Sequence, residues 1–155
     1  MNEQEKQATV TALRLLAATP KSKKRLRQKL EEKGYGLQTI EDVLVRLEKQ
    51  GILNDGSLAQ SLLQTYSLYR PSGRKRIAFE MEKRGVEQRI IEESLGNYGL
   101  REEHKVAMEL AKTKLHRWQK LEAAQQRKKL YDFLIRRGFD FSVTREIVEQ
   151  IEGLK

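Results

Sequence analysis

A basic residue, a glycine and a large apolar residue follow one another three times in this chain, as Lys33-Gly34-Tyr35, Arg84-Gly85-Val86 and Arg137-Gly138-Phe139. The copies stand about fifty residues apart. Their surroundings are shared: apolar residues sit eight and four positions before each glycine, at Leu26 and Leu30, Ile77 and Met81, Leu130 and Leu134. They return after it at Val43-Leu44, Leu95 and Ile147-Val148. Repetition at a fixed period means one small unit copied along the chain. Each copy buries little surface alone and must stack on its neighbours.

Strand signals are nearly absent. Apolar residues recur instead at helical spacing, as Val10, Leu13, Leu16 and Ala17, then Ile40, Val43, Leu44 and Leu47, then Leu58, Leu62, Tyr66 and Tyr69. Each repeated glycine fits the position just past a helix end, where a left-handed backbone is needed, and the basic residue before it suits the negative end of the helix dipole. Working outward from these stops predicts an all-α protein, an elongated array of three tandem three-helix repeats. A polar tail is expected over 1–8, with repeats over 9–51, 52–99 and 100–155. Repeat one reads as helices over 9–18, 22–33 and 37–49; repeat two as helices from Asn54 or Asp55 to Tyr69, from Pro71-Ser72 to Arg84, and from Glu87 to Tyr98. No Gly or Pro occurs between Gly99 and Gly138, so the frame requires a break between Trp118 and Gln125, and a last helix runs from Asp140 to Ile151. Tyr35, Trp118 and Phe139 are expected in the core.

The 155 residues include no cysteine, which removes disulfides and thiolate chemistry. The start lacks the pattern of a secretory signal and no apolar run is long enough to span a membrane, so a cytoplasmic protein is expected. His104 and His116 have no carboxylate pattern suited to a metal or triad. Adjacent acidic pairs such as Glu31-Glu32, Glu92-Glu93 and Glu102-Glu103 point to different helix azimuths, and there is no Gly-rich phosphate loop. The chain therefore reads as a non-enzyme without a cofactor. Its net charge of +9, from 31 Lys and Arg against 22 Asp and Glu, points to a polyanionic partner, either nucleic acid or an acidic protein surface.

The cations cluster on the second helix of each repeat. The candidate binding residues are Lys24, Arg25 and Arg27; Arg70, Arg74, Lys75 and Arg76; and Arg127, Lys128, Arg136 and Arg137. Stacked repeats would align them along a polyanion. A helix-turn-helix reader is disfavoured because the third helices carry Glu41-Asp42, Glu92-Glu93, and Glu146 with Glu149, which phosphates would repel. Pro71-Ser72-Gly73-Arg74-Lys75-Arg76 combines a serine cap, amide donors and three cations at a helix start. Such a start caps itself or holds a phosphate or carboxylate.

Four segments then resemble a known family: Gly51-Ile52-Leu53-Asn54-Asp55 with Leu58-Ala59, Ser72-Gly73 to Ile77, Glu80-Met81-Glu82-Lys83-Arg84-Gly85-Val86, and Phe133-Leu134-Ile135-Arg136-Arg137-Gly138-Phe139. In order and spacing they resemble the RecX regulators of the RecA recombinase, from about Thr9 to Ile151. The resemblance implies a protein that binds RecA and its filament on single-stranded DNA. It would inhibit the recombinase, ATPase and co-protease activities by lying in the filament groove or capping its end. A monomer is expected, and contact with single-stranded DNA is compatible with the charge. The alternative from another class is a helical protein that binds nucleic acid directly, without sequence preference. That mode normally uses aromatic stacking, whereas the aromatics here sit mostly at core spacing.

Overall fold

The computed structural model describes residues 1–151; the last four residues of the expected third repeat, 152–155, lie outside the described residues. Helices account for the regular structure: α1 (Glu3–Ala18), α2 (Lys23–Glu32), α3 (Leu37–Lys49), α4 (Asp55–Gln64), α5 (Arg74–Lys83), α6 (Gln88–Ser94), α7 (Leu100–Arg117), α8 (Ala123–Arg136) and α9 (Phe141–Glu149). A π-helical turn, Thr65–Tyr69, continues α4, and a 3-10 turn, Leu95–Asn97, follows α6. The required break after Trp118 is present between α7 and α8.

The repeated glycines terminate α2, α5 and α8 in one way. Gly34, Gly85 and Gly138 have φ of 90, 86 and 82°. In each case the glycine N–H donates three residues back, to the carbonyl of Glu31, Glu82 or Ile135. The following apolar residue donates five back, from Tyr35 to Leu30, from Val86 to Met81 and from Phe139 to Leu134. This is the Schellman arrangement, which satisfies the last carbonyls of a helix and needs a residue at ease with positive φ.

The chain divides into two compact units, Met1–Gln60 with Met81–Ile91, and Ser61–Glu80 with Glu92 onward. In the first, α1, α2 and α3 pack on one another around Ala8, Ala12, Leu26, Leu30, Ile40, Val43, Leu44, Leu47 and Leu53. In the second, α7, α8 and α9 do the same around Ala107, Ala111, Leu115, Leu130, Leu134, Phe139, Val143, Ile147 and Ile151. Both trios place two alanines of the first helix against two leucines of the second. Small residues there let the helix axes approach.

Three expectations change. The polar tail over 1–8 is helical: Asn2 caps α1 by accepting from the Glu5 N–H at 2.8 Å, and Glu3 and Glu5 lie in its first turn. These carboxylates suit the positive end of the helix. The buried face of α1 consists of Ala8 and Ala12 with Leu15 and Leu16 packed beside them, whereas Val10 and Leu13 are exposed. Tyr69 is also outside, 77% exposed, because the wider π turn advances fewer degrees per residue and swings it off the line set by Leu62 and Tyr66. Among the expected core aromatics, Phe139 is buried, while Tyr35 and Trp118 are half-buried.

Candidate interaction surface

Each unit contains one joint in which a glycine corner seats on the start of the preceding repeat's second helix. In the first unit, a methyl group on Gly85 would lie 2.6 Å from the Ser22 hydroxyl, at the cap of α2. The Lys23 amide donates to the Asp55 carboxylate at 2.9 Å, and the Arg25 guanidinium donates to the Lys83 carbonyl at 2.8 Å. In the second unit, Gly73 and Gly138 meet backbone to backbone: the Gly73 N–H donates to the Arg137 carbonyl at 2.8 Å and the Lys75 N–H to that of Gly138 at 3.2 Å. Arg137 returns the contact through Nε and Nη2 to the Pro71 carbonyl, at 3.1 and 2.9 Å.

Glu103 closes the second joint. It is fully buried, and one oxygen accepts from the amides of Arg74 at 3.1 Å and Asp140 at 2.8 Å. Burial pushes its carboxyl above the ordinary glutamate range, opposed by those two amides. Burial likewise raises Asp55, opposed by the Lys23 amide. Lys23 and Arg74 each stand eleven residues before their glycine, so one carboxylate-to-helix-start contact is used twice. Asp55→Ala removes this cap and is expected to lower stability by about 1 kcal/mol in urea unfolding, with Asp55→Asn retaining most of it.

The helix start at Pro71–Arg76 does hold an anion, and it is the chain's own. Ser72 donates its hydroxyl to the Arg70 carbonyl at 2.7 Å, and the amides after it are taken by Arg137, Glu103 and Gly138. Of the alternatives that the sequence left open for this segment, the chain's own groups occupy the amide donors.

Several candidate cations are committed to such contacts. Arg74 sends Nη1 to the carbonyls of Leu95 and Tyr98, both at 2.6 Å. Arg27 holds Glu41 by two hydrogen bonds, at 2.8 and 3.3 Å, and keeps that carboxyl below its usual range. Arg76 pairs with Glu80 at 3.3 Å, and Arg136 donates to the Asp132 carbonyl at 3.3 Å. Arg70 and Arg127 are exposed.

The glycine frame sorts the remainder. Lys23-Lys24-Arg25, Arg74-Lys75-Arg76 and Arg127-Lys128-Lys129 occupy the same three positions before their glycines, a register that sequence clustering passed over. The central residue is lysine every time and exposed every time. Each sits in the first part of its helix, and Lys75 is close enough to the Asp140 carboxylate to help lower it from its usual range.

A second cationic group comes from two elements and was not anticipated. Trp118, at the end of α7, meets Phe133 of α8 edge to face with ring centroids 6.3 Å apart. Lys114 lies 4.7 Å from the Phe133 centroid, Arg137 lies 5.4 Å from it, and Lys129 lies 5.2 Å from the Trp118 ring. Elsewhere His104 reaches Glu146 at 3.8 Å, and among the described residues no group of acidic or histidine side chains is placed to hold a metal. No helix among them is long and apolar enough to cross a membrane.

Fold and surface together define a tandem three-helix repeat protein with one cationic triplet per repeat. Models of the first and third three-helix domains of RecX match residues 8–47 and 102–148. The regulatory protein RecX of Pelodictyon phaeoclathratiforme is 34% identical over 134 residues, 86% of this chain and 82% of the relative. That of Chlorobium phaeobacteroides is 33% identical over 147 residues, 95% of either chain. The crystal structure of RecX from Lactobacillus salivarius superposes with a TM-score of 0.85 at 20% identity, covering 98% of this chain and 99% of that one. The chain belongs to the RecX family.

Proposed function

We propose that the chain binds RecA filaments on single-stranded DNA and restrains their recombinase, ATPase and co-protease activities, with each of its three repeats supplying one weak cationic contact. Family membership supports the partner. The observation that carries the mode of binding is the exposed lysine at one position of the frame in all three repeats, Lys24, Lys75 and Lys128. A filament repeats its own acidic and phosphate surface, so the first contact makes later ones intramolecular and linked weak sites bind strongly.

Replacing Lys24, Lys75 and Lys128 together by glutamate is expected to weaken filament binding at least tenfold, with helicity by circular dichroism unchanged. Any single replacement has a smaller effect than a third of the combined loss in free energy. Filament affinity that survives the triple replacement in a folded protein rejects the proposal.

A further inference from the structure

Counting from the repeated glycine compares one surface across the three repeats. The positions seven and three before it, on the second helix, and three and seven after it, on the third, hold Arg27, Glu31, Leu37 and Glu41 in repeat one. Repeat two has Ala78, Glu82, Gln88 and Glu92 there, and repeat three has Tyr131, Ile135, Phe141 and Arg145. In repeat one the two helices are joined across this surface by an ion pair, Arg27 donating through Nε to Glu41 at 2.8 Å. In repeat three a pair of rings takes its place. Tyr131 of α8 meets Phe141 of α9 edge to face, with centroids 6.3 Å apart and planes at 87°, and the Arg145 guanidinium lies 5.1 Å from the Phe141 centroid.

The glycine corner does not require apolar side chains at these positions. All three glycines close the same Schellman turn, and repeats one and two do so with mostly polar residues beside it. The core does not require them either: Leu130, Leu134, Val143 and Ile147 are buried from α8 and α9, while Ile135 and Phe141 stay 38 and 49% exposed. Apolar side chains gathered on one exposed face mark an interface, and Tyr and Arg are residues that anchor one. Lys128 precedes Tyr131 by three residues and so lies beside it on α8. Stacking a base would need a free ring face. Here Arg145 lies over Phe141, the two rings stand at right angles, and Ile135 has no π surface, so the patch suits an apolar side chain better.

We infer that Tyr131, Ile135, Phe141 and Arg145 form a docking surface for protein, the RecA subunit of the filament, which inserts an apolar side chain flanked by a carboxylate. The carboxylate meets Lys128 and Arg145, the exposed cations beside the rings. Because Lys128 is the contact assigned above to repeat three, this surface depends on the filament reading. It adds an anchor that is insensitive to salt and confined to the third repeat.

Co-sedimentation with RecA filaments assembled on single-stranded DNA, over a salt series, tests it. Tyr131→Ala with Phe141→Ala should weaken filament binding about tenfold, the effect of losing a central anchor. The slope of log affinity against log salt should not change, since no cation is lost. Affinity for the same DNA without RecA should also stay as in the parent. Leu37→Ala, at the position in repeat one that corresponds to Phe141, removes an exposed apolar side chain from the first unit and should change filament affinity by less than about threefold. Ile135→Ser gives an independent variant should the double replacement disturb helicity by circular dichroism. Parental filament affinity in either folded patch variant would overturn the docking surface and leave the filament reading standing. An equal loss on DNA alone would overturn it in favour of base stacking. Absence of filament binding by the parent chain would instead reject the filament reading, and this surface with it.

Discussion

Gly138→Ala is expected to lower stability by about 2–5 kcal/mol, a large share of the ~5–15 kcal/mol that holds a domain of ordinary stability together. Two effects combine. Gly138 has φ of 82°, where an L-residue is disfavoured by roughly 1–2 kcal/mol. Its added methyl would also press on the backbone nitrogen and Cα of Arg76, atoms that cannot rotate away. Overpacking of that kind adds about 1–3 kcal/mol. Gly34 has φ of 90° but nothing within 4 Å of an added methyl, so Gly34→Ala should show the backbone effect alone, about 1–2 kcal/mol. Urea unfolding followed by circular dichroism separates the cases. Equal losses would mean that Gly138 only stops a helix and that the joint contributes nothing.

Glu103→Ala is expected to lower stability by about 3 kcal/mol. It strips the acceptor from two donors, the amides of Arg74 and Asp140, where each unpaired buried donor costs roughly 1–3 kcal/mol. Glu103→Gln keeps an acceptor of the same shape and removes the buried charge, so it should remain near the parent protein. The pH dependence has a definite sign. Burial raises the folded-state carboxyl, so this group's contribution is fully present below the unfolded glutamate value and is lost as pH rises through the raised folded value. Glu103→Gln should flatten that fall. An alanine variant as stable as the glutamine variant would show that the two amides do not depend on this side chain.

The frame was legible in the sequence because its physics is local. A Schellman corner calls for glycine, a preceding helix and an apolar residue after it, and these stand together at 33–35, 84–86 and 137–139. The break after Trp118 followed from the frame alone. What escaped notice depends on partners distant in sequence. Glu103 looked like half of an ordinary acidic pair with Glu102, but Glu102 caps its own helix by accepting from the Gly99 N–H at 3.2 Å, while Glu103 enters the joint. The face of α1 was misjudged because alanine packs closest and is the weakest apolar signal, so Val10 and Leu13 drew the reading outward. Tyr69, placed at helical spacing with Leu62 and Tyr66, is likewise on the surface at 77% exposure. Lys114 and Lys129 belong to different helices, and only folding brings them to one pair of rings.

ATP hydrolysis by RecA on single-stranded DNA, with the chain added after filaments have assembled, tests the central claim most directly. Hydrolysis should fall with added chain, and the Lys24→Glu, Lys75→Glu, Lys128→Glu protein should require at least tenfold more for the same effect. Hydrolysis that continues undiminished in an excess of folded chain would contradict the account.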